Sequence, residues 1–179
     1  MSQKVLLNAK AINIILHRLA CQLIENHKDF TNTVLIGIQP RGKYLANRLV
    51  NLLEKEYKIK NLQTGDLDIT FYRDDFRRSD KTLEAQTTNI NCIVEDKRVV
   101  FIDDVLYTGR SIRAALTAIQ SYGRPKEIEL LTLIDRRFSR HLPIQPDYRG
   151  RQVDAINKEK VKVNWQENEG EDAVYLINN

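Results

Sequence analysis

Apolar residues recur along this chain with two periods. After Asn8, the residues Ile12, Ile15, Leu16, Leu19 and Leu23 follow one another at helical spacing, so residues 9–26 are predicted as an amphipathic helix with Asn8 as its cap. Thr33–Ile38 is a short run of β-branched and apolar residues, the pattern of a strand buried on both faces. A second helix follows, with Leu45, Leu49, Leu52 and Leu53 on one side. Leu67, Ile69 and Phe71 alternate with Asp66, Asp68 and Thr70, which predicts a half-buried strand over Gly65–Tyr72. Lys97–Asp104 and Glu127–Ile134 read as two more buried strands, and Thr108–Tyr122 between them as a helix closed by Gly123-Arg-Pro125. Val161–Asn164 and Ala173–Ile177 read as a late antiparallel pair at one sheet edge.

The sum is α/β: a mostly parallel sheet flanked by helices, with turns gathered at the carboxyl ends of its strands. In such sheets ligands bind at those ends. The 179 residues suit a single domain spanning 1–179. The polar stretch from Arg73 to Asn91 has no clear period. A loop of that length is usually functional, and it is read as a flexible lid or hood.

Composition changes this picture little. Apolar residues make up 42% and charged ones 29%, and no run is long enough for a membrane span. The first residues lack the apolar stretch of a signal peptide. Cys21 and Cys92 form neither a disulfide framework nor a metal pattern, which points to a reducing cytoplasm. The net charge of +4 suits a phosphate-rich ligand as well as it suits a nucleic acid. Its distribution is more telling. Residues 136–151 hold five arginines, and the segment from Trp165 onward holds four acids and no base. The basic run is read either as lining a site for a polyanion or as a solvated face, and the acidic tail as solvated surface.

The chemistry is concentrated in Val99-Val-Phe-Ile-Asp-Asp-Val-Leu-Tyr-Thr-Gly-Arg-Ser111. A buried strand delivers Asp103 and Asp104 to the ligand edge. The Thr108–Ser111 turn then offers backbone N–H groups at a helix start, two hydroxyls, and Gly109 for close approach. Carboxylates suit vicinal sugar hydroxyls and the turn suits a phosphate, so the pair describes a sugar phosphate. Gln39-Pro-Arg-Gly42 is a second strand–turn–helix junction. There Arg41 and the Gly42 backbone are expected to meet a second phosphate group.

The thirteen-residue string matches the phosphoribosyl-diphosphate (PRPP) motif of type I phosphoribosyltransferases. Over nearly its whole length the chain also resembles the PyrR family. The matching pieces are Gly37–Ala46, Gly65–Asp75, Asp103–Ser111, Gly123-Arg-Pro125 and Leu133–Arg136, with Leu142-Pro-Ile144 and Asp147-Tyr148. The resemblance implies the type I phosphoribosyltransferase fold with a small hood. It also implies transfer of the phosphoribosyl group of PRPP to uracil, giving UMP and diphosphate, with Mg2+ held through PRPP and no direct protein ligand set. The carboxylates Asp103 and Asp104 would lie near that ion. On this reading Asp103, Asp104 and Arg73 are catalytic. Val105, Leu106, Tyr107, Thr108, Gly109, Arg110, Ser111, Arg41 and Gly42 hold PRPP. Asp135, Arg136 and Arg137 surround the base. The family further implies a pyrimidine-operon mRNA partner and dimers or higher oligomers. Four places depart from its pattern: Arg137-Phe138 where glycine is usual, Gln39-Pro where Lys-Thr is usual, His17 with Cys21 where Thr and His are usual on the first helix, and Val153-Asp-Ala-Ile156 where Pro-Thr-Ser is usual near the end. Another nucleobase without RNA binding, or an RNA-binding regulator with little catalysis, are the alternatives these departures leave open.

Overall fold

The computed structural model describes residues 2–74, 85–155 and 159–178. Residues 75–84 of the lid expected over 73–91, Asp75 among them, and Ile156 lie outside these. Strand β1 (Ser2–Asn8) leads into helix α1 (Ala9–His27), then β2 (Thr33–Ile38), α2 (Gly42–Lys55), β3 (Gln63–Leu67) and the short β4 (Asn89–Ile90). The second half runs β5 (Arg98–Leu106), α3 (Arg110–Ala118), β6 (Glu127–Arg137), β7 (Tyr148–Asp154), β8 (Glu159–Asn164), α4 (Gln166–Glu169) and β9 (Ala173–Asn178).

Six strands form one sheet in the order β4-β3-β2-β5-β6-β7, parallel except for β4. The connections place β2 and β5 at its centre, and both are buried along most of their length. One face packs against α1 and α2 through Leu19, Leu23, Leu45, Leu49, Val100, Ile102 and Leu131. The other packs against α3 through Val99, Phe101, Ile112, Ala115 and Leu130. Each fully buried Leu or Ile there contributes roughly 1.5–3 kcal/mol. Asn8 caps α1 as the sequence predicts, its side chain accepting the Ala11 N–H at 2.9 Å.

The late strands do pair antiparallel, but away from the edge of the main sheet. With β1 they form a separate three-stranded sheet in the order β1-β9-β8. It shares a core with α1 and α2 through Leu7, Val163, Trp165 and Val174. The expected strand Gly65–Tyr72 is also corrected. β3 ends at Leu67, and residues 70–72 form a tight 3-10 turn. The cause is Asp68, whose carboxylate accepts from the Thr70 N–H at 3.0 Å, the Thr70 hydroxyl at 2.6 Å and the Gln86 N–H at 3.1 Å. Such a side chain competes with the sheet for the backbone donors. Ile69 stays buried while Phe71 is 67% exposed.

Candidate active site

β5 carries the two carboxylates on opposite faces, as strand alternation requires. Asp104 turns toward the start of α2, where its Oδ2 accepts from Arg41 Nε at 3.0 Å. Asp103 lines the open ligand edge, and its Oδ1 accepts the Asp104 backbone N–H at 2.9 Å. Burial pushes both carboxyls above the usual carboxylate range. Asp103 is pushed furthest, because the neighbouring Asp104 charge adds to its burial. The Arg41 guanidinium restrains the rise of Asp104.

Gly109, at φ 89°, turns the chain from β5 into α3. The backbone N–H groups of the first turn of α3 receive no bond from the N-cap Gly109, and the Thr108 hydroxyl accepts that of Arg110 at 3.4 Å. They face a cavity of about 250 Å3 lined by Arg73, Asp103 and residues 105–112. A second cavity, of about 290 Å3, is lined by Ile38, Gln39, Pro40, Arg41, Ile69, Asp104 and neighbours. Arg73, Asp103, Val105 and Ser111 line both. The two are therefore adjoining compartments of one cleft, one beside the Thr108–Ser111 turn and one beside the Gln39–Gly42 turn. Gly42 is required here by space. A Cβ on it would stand 2.3 Å from the Ile102 carbonyl oxygen and 3.1 Å from Asp103 Cα.

Two of the expected PRPP arginines are turned elsewhere. Arg41 was expected to face a phosphate. Its guanidinium instead donates to Asp104, to Glu169 Oε1 at 2.9 Å and to the Val163 carbonyl. Arg110 lines the first cavity, and its side chain pairs with Asp74 at 3.3 Å, beside Arg113 at 2.5 Å from the same carboxylate. In both cases a nearby carboxylate outcompetes the open cleft for the guanidinium.

The three residues expected around a base do not converge. Asp135 is 4% exposed and is held by Arg140 at 2.5 Å and Arg149 at 3.1 Å. Arg136 is buried, and its guanidinium stacks 4.0 Å over the Tyr107 ring. Arg137 pairs with Asp154 at 2.7 Å and stacks 4.8 Å over Phe138. The reason is again the period of two, which sends Arg136 to one side of β6 and its neighbours to the other. Asp135 and Arg137 border a cavity of about 620 Å3 with Phe138, Leu142, Ile144 and Gln152. Phe138 sits at φ 64° and is 72% exposed.

Sequence reading missed two contributors. Arg140 bridges Asp135 and the Tyr107 carbonyl at 2.5 Å. Glu169 belongs to the acidic tail, which is not merely solvated surface. Glu167 and Asp172 pair with Arg48, Glu169 with Arg41, and Glu171 accepts from Asn164 and Tyr175. The basic run is also largely paired within the fold. Arg18 donates to the Arg149 and Gly150 carbonyls, and Arg151 to the Leu6 carbonyl. Cys21 and Cys92 are free thiols. Among the described residues no helix is long and apolar enough to cross a membrane.

The phosphoribosyl transferase domain family matches residues 2–168. The bifunctional protein PyrR of Gloeothece citriformis is 46% identical over 172 residues, covering 96% of each chain. That of Desulfosudis oleivorans is 43% identical over 170 residues, covering 95% of this chain and 93% of its own. The chain belongs to the PyrR family. Its fold is shared more widely. A hypoxanthine phosphoribosyltransferase of Trypanosoma cruzi superposes with a TM-score of 0.71 over 98% of this chain and 96% of its own, at 14% identity. For a PyrR-family phosphoribosyltransferase, the adjoining compartments at the ends of β2 and β5 are the cleft to explain.

Proposed function

We propose that this chain transfers the phosphoribosyl group of PRPP to uracil, releasing diphosphate and forming UMP. The observation that carries the reading is the divided cleft. One compartment lies at the start of α3 and the other at the start of α2, with Asp103 and Arg73 bordering both. A substrate with a monophosphate at one end and a diphosphate at the other has that layout.

The roles then follow from position. The backbone of residues 106–111, with the Thr108 and Ser111 hydroxyls, binds the 5′-phosphate. Asp103 and Asp104 hold the ribose hydroxyls and place negative charge beside the oxocarbenium-like centre that develops as diphosphate leaves. Arg73 and the Gly42 backbone face the diphosphate. Diphosphate is a good leaving group, so the protein's task is orientation and electrostatics. Among the described residues there is no cluster of three or more His, Cys, Asp or Glu side chains able to hold a metal. A Mg2+ ion arriving with the substrate would bring waters of its own and offset diphosphate charge. Asp103 and Asp104 are the acids near enough to orient those waters.

The base is read as uracil on the family resemblance. The test is formation of UMP from uracil and PRPP with Mg2+, run beside hypoxanthine, guanine and cytosine. UMP as the main product supports the reading, and another nucleotide in its place overturns it. Regulation of pyrimidine genes through leader mRNA is the second role, favoured by family membership and by Arg18, Arg149 and Arg151 lying together around α1 and β7. A gel-shift titration with UMP decides it. Specific RNA must bind far more tightly than scrambled RNA of equal length, since charge alone treats them alike.

A further inference from the structure

Helix α2 carries two arginines that reach the loop between β8 and β9, and they do different work. Arg48 makes four charge-assisted bonds there, to Glu167 at 2.9 and 2.6 Å and to Asp172 at 2.8 and 2.7 Å, and lies 4.7 Å over the Trp165 ring. That contact docks the small sheet on α2. Arg41, at the start of the same helix, is different. Glu169 Oε1 and the Val163 carbonyl hold one end of its guanidinium, and its Nε holds Asp104. Glu169 is itself fixed, because its Oε2 accepts the Trp165 backbone N–H at 2.9 Å. A rigid line thus runs from the small sheet through one guanidinium to a carboxylate of the cleft. All three side chains are at least two-thirds buried, at 32%, 11% and 17% exposure for Arg41, Asp104 and Glu169. Charge-assisted bonds shielded in this way fix orientation firmly.

We propose that Glu169 is a positioning residue for phosphoribosyl transfer, acting through Arg41 to fix the orientation of Asp104 at the ribose. The inference rests on the transferase reading and deepens it. Arg41 then remains clamped while substrate binds, and the diphosphate is met by the Gly42 backbone and Arg73. Glu169 touches no substrate, so its loss leaves the binding groups in place and blurs the geometry of the charge beside the reacting carbon. The rate constant suffers before binding does.

The test uses the full chain with Glu169→Ala, Glu169→Gln, Asp172→Asn, Arg41→Met and the Arg41→Met/Glu169→Ala pair. Glu169→Ala is expected to lower kcat about tenfold or more, with KM for PRPP changed less than about threefold. Glu169→Gln keeps one acceptor for Arg41 and should fall between Ala and wild type. Asp172→Asn loosens the same loop without touching Arg41, so it should lower Tm and spare kcat. In the Arg41→Met background, Glu169→Ala should cost nothing further, because its route to Asp104 is already gone. Wild-type kcat in Glu169→Ala, an equal fall in Asp172→Asn, or additive losses in the double variant would each overturn the proposal. Carboxyl NMR of the ligand-free protein separates this from the transferase reading. The Asp104 titration should move upward in Glu169→Ala, as the Arg41 counter-charge loosens. An inactive wild type overturns the transferase reading, whereas an unmoved Asp104 titration overturns the clamp.

Discussion

The Asp103 carboxylate accepts the backbone N–H of Asp104 at 2.9 Å, so two adjacent acids share one strand end, with the Arg41 guanidinium bonded to the second and the Arg73 charge acting on the first. Both carboxyls titrate above the usual range, Asp103 most of all, first through burial and then through the neighbouring charge. The sign of the consequence is fixed. Above the ordinary carboxylate pKa the folded chain holds protons that the unfolded chain has released, so stability falls as pH rises toward the raised values. The site is held at a cost in stability. Asp103→Asn, which keeps the acceptor and removes the charge, should abolish most activity and raise Tm at pH 7. At pH 4 the gain should shrink, because the raised Asp103 carboxyl carries more of its proton there than at pH 7. Thermal melts at the two pH values check this. A Tm gain equal at both would refute the electrostatic account.

Gly42 is argued from space. With the Ile102 carbonyl oxygen 2.3 Å from its virtual Cβ, Gly42→Ala forces α2 away from β5 at the point where Asp103 begins. Overpacking against backbone costs about 1–3 kcal/mol. The expected result is a lower urea midpoint together with a raised KM for PRPP, read from the same preparation. A variant that loses stability but binds PRPP normally would show that the α2–β5 approach does not set the diphosphate side of the cleft.

The end of the sheet away from the cleft makes a separate prediction. His27 is buried, with Nε2 2.9 Å from Glu129 Oε2 and Nδ1 2.9 Å from the Thr33 hydroxyl, and Tyr148 and Arg98 also bind Glu129. Burial holds the His27 pKa below its ordinary value despite the carboxylate. Between that lowered value and about 6.5 the unfolded chain binds the extra proton, so stability rises with pH there and is lost on acidification below about 6.5. His27→Gln should flatten that part of the stability–pH curve and leave kcat unchanged. Glu129→Leu leaves Arg98 paired with Glu127 but takes the shared acceptor from His27 and Tyr148, and should cost about 1–3 kcal/mol, as unsatisfying a buried polar group does.

How much of this was legible in the sequence follows from how local each part is. Asp103, Asp104 and the Thr108–Ser111 turn lie in one continuous string, and the strand-then-helix periodicity around them states their placement. The parallel core was legible for the same reason: Val34–Ile38 and Val99–Ile102 are apolar without interruption. β1 and β7 were not, because Ser2–Asn8 and Tyr148–Asp154 mix charges with apolar residues, as edge strands do. The Arg41–Glu169 pair spans 128 positions, and no periodicity connects residues that far apart. Asp68 shows a third limit. Alternation at Leu67, Ile69 and Phe71 was present, yet one carboxylate bonding to Thr70 ended the strand.

Arg140 joins the two halves of the ligand edge that sequence reading treated separately. It donates to the Tyr107 carbonyl in the phosphate turn and to Asp135 Oδ1 at the end of β6, both at 2.5 Å, while His141 N–H bonds the Thr108 carbonyl at 3.0 Å. Asp135 is 4% exposed and its other partner, Arg149, approaches from 46% exposure at 3.1 Å. Removing Arg140 therefore leaves a buried carboxylate with one loosely held counter-charge, a change that costs about 2–4 kcal/mol. The turn that faces the monophosphate loses an anchor at the same time. Arg140→Ala should lower Tm and raise KM for PRPP about tenfold, since one oriented contact in a phosphate site is of that order. Arg140→Lys supplies charge without the fork that spans both acceptors. It should recover Tm more fully than KM. Equal recovery of both would mean that Arg140 acts on the turn only through the charge of Asp135.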